Sequence, residues 1–174
     1  MSYGQGNHSE GGYTSAFGGS YNHAEGEDTL AFSSWGAHAE GEQTSALNDF
    51  AHAEGIRTLA NGEASKAEGL SSVAQGKGSH SEGNVTSAFG NCSHTEGHKS
   101  EAFGNGSHAE GQGTESIGSC SHAEGYETSA SGNWSHAEGN RTTAHGIYSH
   151  TEGFQTFASG YYAHAEGDGT RAMM

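Results

Sequence analysis

Proline is absent from this sequence of 174 residues, lysine and arginine together number 6, cysteine occurs twice, and only 30% of the residues are hydrophobic. So little apolar material excludes a conventional packed core. Six cations against 21 acids, a formal net charge of -15, exclude nucleic acid as a partner, because phosphate binding needs clustered Lys and Arg. Cys92 and Cys120 are too few for a disulfide framework. No run approaches the roughly 18 apolar residues of a membrane helix, so membrane insertion is not expected. The opening MSYGQGNHSE has neither the basic nor the apolar segment of a secretory signal. The expectation is a chain made in the cytosol and released by lysis or assembly, or an excised fragment.

Low hydrophobicity with high charge ordinarily means disorder, but a strict repeat allows small units to stack. SHAEG stands at 107–111, 121–125 and 135–139, with SHTEG at 93–97 and 149–153. The motif histidines fall at His8, His23, His38, His52, His80, His94, His108, His122, His136, His150 and His164, with Lys66 filling the one gap. The first two steps are 15 residues and all later ones 14. Each unit holds two similar halves, as in SHAEGNR followed by TTAHGIY, so the underlying pattern is Ser/Thr-x-Ala-x-Gly-x-x. Gly every seventh residue without an apolar stripe defeats a helical heptad.

A five-residue strand followed by a two-residue turn fits this pattern, with first, third and fifth side chains on one face. The expected fold is all-β: a parallel β-roll, or β-solenoid, with 14 residues and two short strands per coil. About twelve coils at ~4.8 Å give a rod of roughly 58 Å. Residues 1–6 form a lead-in, 7–172 the roll and 173–174 its end. Ser121, Ala123 and Gly125 face Thr128, Ala130 and Gly132 inside. Buried hydroxyls bond backbone near the turns. Glycines at strand ends, and Asn91, Asn105, Asn133 and Asn140 in the turns, suit positive φ or close approach, as does Asn48 in a glycine's place.

The doubled S-x-A-x-G-x-x pattern resembles the YadA-like head repeat of trimeric autotransporter adhesins, and its SHAEG form resembles repeats of phage tail-fibre and related appendage proteins. That resemblance, over about residues 7 to 172, implies a left-handed roll, a homotrimer, small residues inside each roll and one sheet packed between protomers. The adhesin heads commonly carry apolar residues at the x positions, where the first half here carries His and Glu. The stalk, membrane anchor and chaperone domain of complete members are not in this sequence.

Outward from the first strand, two ladders are expected: His23, His38, His52, Lys66, His80, His94, His108, His122, His136, His150 and His164 in one, and Glu25, Glu40, Glu54, Glu68, Glu82, Glu96, Glu110, Glu124, Glu138, Glu152 and Glu166 in the other. His8 and Glu10 extend them. Glutamates ~4.8 Å apart repel unless hydrogen bonds reach them. Lys66 donates strongly and cannot act as an acceptor, so the His column is read as donor to the Glu column, cationic, at a subunit interface and tunable by pH. A solvated polar sheet is the alternative. A Ser-His-Glu relay within one strand is excluded, since Ser121 points away from His122 and Glu124. No catalytic residue, cofactor or metal site is assigned: zinc needs three or four convergent donors, which this ladder offers only where chains meet on an axis.

The second half varies outward, and Phe17, Phe32, Leu47, Phe89, Phe103 and Ile117 form one column, an alternative seam. Trp35, Phe50, Cys92, Cys120, Trp134, Tyr148 and Tyr162 are read as equivalent turn positions. The aromatic ones, Trp35, Phe50, Trp134, Tyr148 and Tyr162, are candidates for carbohydrate or host-surface contact. The two cysteines, two coils apart, are expected free. The functional expectation that the resemblance implies is a non-catalytic, fibre-like homotrimeric head or shaft of a virion appendage or of an extracellular or cell-surface one. Alternatives are an end-to-end filament, since no bulky cap is seen at either end, and, more weakly, an ice-binding solenoid, which the inward Thr column opposes.

Overall fold

A computed structural model describes residues 4–173; Met1–Tyr3 and Met174, part of the expected lead-in and end, lie outside the described residues. Two parallel sheets of twelve strands run side by side, one of odd-numbered strands from β1 (His8–Gly12) to β23 (His164–Asp168), the other of even-numbered strands from β2 (Ser15–Ser20) to β24 (Arg171–Ala172). Each strand pairs with its counterpart one coil away, so register reproduces the repeat: β17 (His122–Tyr126) sets His122 against His136, Ala123 against Ala137 and Glu124 against Glu138 of β19 (His136–Asn140). The expected all-β solenoid of about twelve coils, two strands per coil, is the observed fold.

The two strands of a coil differ in length. Those of the first sheet have five residues, whereas from β6 (Ser45–Ala46) onward those of the second have two, as in β18 (Ser129–Ala130). The second ladder stops early because Ile117 and Gly118 both donate their N–H to the one carbonyl of Ala130, at 2.9 and 3.2 Å. Ser121 then closes the turn, donating N–H and Oγ–H to Gly118 O at 3.3 and 2.6 Å. Ser65, Ser93, Ser107, Ser135 and Ser149 repeat the side-chain bond, so the expectation holds for these serines, although Oγ of Ser79 in the same column is buried without a partner. It fails for the interior threonines: Oγ1 of Thr114, Thr128, Thr142 and Thr156 is buried without a partner, although Ser72 and Ser100 in the same column reach a glycine carbonyl at 3.2 Å.

Among the described residues every buried apolar side chain is alanine, and the larger fully buried ones are threonine and Asn22. Asn22 belongs to the 15-residue coils, where its amide fills the space the extra residue opens. It donates to Phe17 O and Ser33 O at 3.1 Å and accepts from Ser33 Oγ at 2.6 Å and Ala37 N at 2.9 Å.

The turn asparagines act differently from expectation. Positive φ falls on the residue after Asn91, Asn105, Asn133 and Asn140, namely Cys92 (φ 53), Gly106 (φ 64), Trp134 (φ 55) and Arg141 (φ 56), and two residues after Asn48, on Phe50 (φ 58), but on none of the asparagines. Asn91, Asn105 and Asn133 instead bridge coils: Asn105 Oδ1 accepts the N–H of Asn91 at 3.0 Å and Asn133 Oδ1 that of Ser119 at 2.9 Å. Asn48 caps the neighbouring coil through Nδ2 to Asn61 O at 3.2 Å. A side chain that satisfies a backbone donor of the preceding coil is as good a reason for Asn as tolerance of the left-handed region.

Candidate functional site: the histidine and glutamate ladders

Alternation along β17 and its equivalents turns Ala123 inward and His122 and Glu124 outward. Stacking the coils then piles imidazole on imidazole. From His80 through His150 the ring centroids lie 4.7–4.9 Å apart with planes within 10° of parallel. This is the second run along the chain; the first, His8 to His52, has spacings of 4.8–5.0 Å. Lys66 divides the two.

The runs treat their glutamates differently. His23, His38 and His52 approach Glu25, Glu40 and Glu54 on the same strand with Nε2 to oxygen distances of 3.3, 3.4 and 3.4 Å, weak hydrogen bonds of the expected kind. In the second run the separations are 3.9, 4.0, 3.8 and 4.0 Å for His94–Glu96, His108–Glu110, His122–Glu124 and His136–Glu138, beyond hydrogen-bond range. Nε2 of His94, His108, His122, His136 and His150 is consequently buried in the stack without a partner. His164 stands 3.8 Å from Glu166, and its ring meets that of His150 edge-on. Glu152 lies in the same column, held by the pairing of β21 (His150–Phe154) with β23.

Lys66 concentrates the polar contacts. Its Nζ lies 2.8 Å from Glu68, which also accepts from His80 Nε2 at 3.0 Å; His80 lies 3.6 Å from Glu82. Partial burial works to raise the Glu68 pKa, but the hydrogen bonds from Lys66 and His80 outweigh it and hold the carboxyl below the usual range. The bond to Glu68 pushes the Lys66 amine up despite its burial. Substituting Lys66→Met is expected to lower Tm by only about 2–4 °C, because a half-exposed pair contributes at most ~1 kcal/mol; scanning calorimetry checks this. Lys66→His should restore most of the loss by joining the two imidazole runs.

The cationic reading of the column needs correction at three positions of its second run. Burial in the stack, followed by the neighbouring imidazoles, depresses the pKa of His108 and His136 below the usual value, although nearby glutamates pull the other way. His150 is lowered for the same reasons. These rings are neutral at pH 7, and with no hydrogen bond to a glutamate their contacts with Glu110 and Glu138 are not ion pairs. Sequence reasoning missed this because it weighed each His against its Glu and not against the His above and below.

Elsewhere the expected columns form. Phe17 stacks on Phe32 and Phe89 on Phe103, with centroids 4.9 and 5.0 Å apart. Trp134, Tyr148 and Tyr162 make an exposed ladder with steps of 5.0 and 5.1 Å. Phe50 is exposed at the same turn, and Cys92 and Cys120 are free and exposed. Trp35 leaves the column: the extra residue of its coil gives the left-handed turn position to Gly36 (φ 64), while Trp35 pairs with Ser20 and donates its N–H to Asp49 at 2.9 Å. A shallow groove on the ladder face is lined by Glu54, Gly55, Glu68, Gly69, Glu82 and Gly83, one pair three times over, which sets no nucleophile beside a distinct acid or base.

A two-sheet parallel solenoid, repetitive in its interior and on its surface, defines a structural repeat protein. Residues 53–79 and 123–149, each about two coils, match the YadA head domain repeat. These two stretches are similar to YadA head domain repeats, in keeping with the repeat read from the sequence and with the β-solenoid it builds. No curated protein matches the sequence.

Proposed function

We propose that the chain is a non-catalytic, rigid trimeric β-roll, the head or shaft of a phage tail fibre or cell-surface appendage, whose protomers pack through the sheet of even-numbered strands. The observation that carries this reading is where the apolar groups lie. The interior holds nothing larger than Ala, Ser, Thr and Asn22, while Phe17, Phe32, Phe103 and Ile117 stand 38–45% exposed in one outward column. A roll this thin buries little apolar area on its own, and covering such a stripe contributes roughly 25 cal/mol per Å². Burying the other sheet would mean desolvating a dozen carboxylates, each at a cost of several kcal/mol unless paired. The stripe is therefore the seam, and the His and Glu ladders face outward beside the Trp134, Tyr148 and Tyr162 turn, a surface suited to carbohydrate or host contact. Three copies follow the resemblance to trimeric adhesin heads.

Sedimentation equilibrium tests the reading. The expected mass is three chains, falling to one in Phe103→Asp with Ile117→Asp, and unchanged in Glu110→Gln with Glu124→Gln. A monomeric parent chain, a trimer that survives the aspartates, or fibres that lengthen with concentration would each overturn it, the last in favour of end-to-end assembly.

A further inference from the structure

The second histidine run has the makings of a metal-binding array. Its repeating group is His, the Glu two residues on, and the His one coil later: His80–Glu82–His94, His94–Glu96–His108, His108–Glu110–His122, His122–Glu124–His136 and His136–Glu138–His150 each bring three donor atoms within 4.8 Å of one another. We propose that this run binds borderline divalent transition metals of the zinc, copper and nickel kind, each ion held by two stacked imidazoles and the carboxylate between them.

Four features support the proposal. Two nitrogens and one oxygen are the donor set such ions prefer, and hard cations such as calcium do not. Bonds of ~2.0 Å in a tetrahedral arrangement put donors about 3.3 Å apart, so groups separated by 4.8 Å close by under about 1 Å each, within reach of a side-chain rotation. The Glu side chains are 39–45% exposed and free to swing, and an approaching ion keeps its remaining positions for water. Finally, Nε2 of His94, His108, His122, His136 and His150 is buried and unpartnered in the protomer. A metal ion accepts that lone pair, whereas the carboxylates 3.8–4.0 Å from His94, His108, His122 and His136 are themselves acceptors and have no proton to give it.

The geometry also fixes stoichiometry and place. Each Nε2 has one lone pair, so overlapping sets exclude each other, and at most three of the five fill together: His80 with His94, His108 with His122, and His136 with His150. The first is the weakest, since His80 already bonds to Glu68 at 3.0 Å. The His8 to His52 run forms no such set, its Nε2 atoms at His23, His38 and His52 being engaged by their own glutamates. Lys66, a cation, marks the boundary.

Access for the ion rests on the ladders facing outward, so the test reads assembly and binding together. Native mass spectrometry of the full chain, equilibrated with Zn²⁺ or in parallel with Ca²⁺ and then desalted, reports subunit number and bound ions. The expected result is two to three Zn²⁺ per chain and no retained Ca²⁺. His108→Gln with His136→Gln should hold no more than one Zn²⁺, while His23→Gln with His38→Gln binds as the parent does. A trimer that retains no Zn²⁺, retains Ca²⁺ equally, or binds undiminished in His108→Gln with His136→Gln overturns the metal proposal and leaves the seam intact. A monomer that binds Zn²⁺ overturns the seam and leaves the metal site.

Discussion

Gly118→Ala is expected to destabilise the roll by about 4 kcal/mol or more, the range reserved for substitutions with a named steric cause. Gly118 closes the second strand, where its backbone lies against the next coil. A methyl group there falls inside the van der Waals envelope of the Gly132 carbonyl and the Asn133 amide. Both are main-chain atoms, so no rotamer relieves the clash, and the coils must part. Parting removes the paired bonds of Ile117 and Gly118 to Ala130 O. Gly106→Ala is the control. Its φ is +64 and an added Cβ meets only the Cys120 Sγ at 3.5 Å, so the cost is that of the left-handed conformation, about 1–2 kcal/mol. Urea unfolding gives both numbers. Because coils contact mainly their neighbours, limited proteolysis should also cut Gly118→Ala near the substitution, separating two still-folded arrays. Equal midpoints for the two variants would show that inter-coil spacing yields more easily than the backbone contacts imply.

This comparison shows how unevenly the sequence discloses the molecule. The period of 14 and the small residues at alternate positions made the fold legible, because a parallel register tied to an exact repeat leaves no other pairing for His122 than His136. The outward direction of the ladders was legible for the same reason. Trp35 was misplaced because counting back from a motif cannot say where in a 15-residue coil the extra residue is absorbed; Asn22 and Gly36 decide that through bonds the sequence does not display. The ladder chemistry was only half legible. Lys66 itself lies against Glu68 as a donor, at 2.8 Å. Yet His52–Glu54 at 3.4 Å and His108–Glu110 at 4.0 Å both lie in the tetrapeptide HAEG, so the difference between them cannot be read from those four residues.

Acidification is expected to weaken the protein in two stages, and the sign follows from the direction of each shift. His108, His136 and His150 hold their pKa below the ordinary 6.5, so the unfolded chain takes up protons that the folded stack refuses. Stability is then complete above pH 6.5, falls as pH drops below it, and levels once the depressed folded values are passed. Glu68, lowered from 4.5 by Lys66 and His80 against the effect of burial, contributes stability present above 4.5 that is lost as pH falls through its folded value. Lys66 acts at the opposite end: its raised pKa favours folding below 10.5, a contribution lost only in strong alkali. Calorimetric Tm should therefore stay level from pH 8 to 7, decline through the imidazole window, and decline again in the carboxylate window. Changing His108, His136 and His150 together to Gln removes the first stage and spares the second, since amide ladders stack at the same spacing without titrating. A Tm that holds level from pH 7 to 5 in the parent chain would mean that the stacked rings accept protons freely, and that the glutamates, not the neighbouring imidazoles, set the potential within the column.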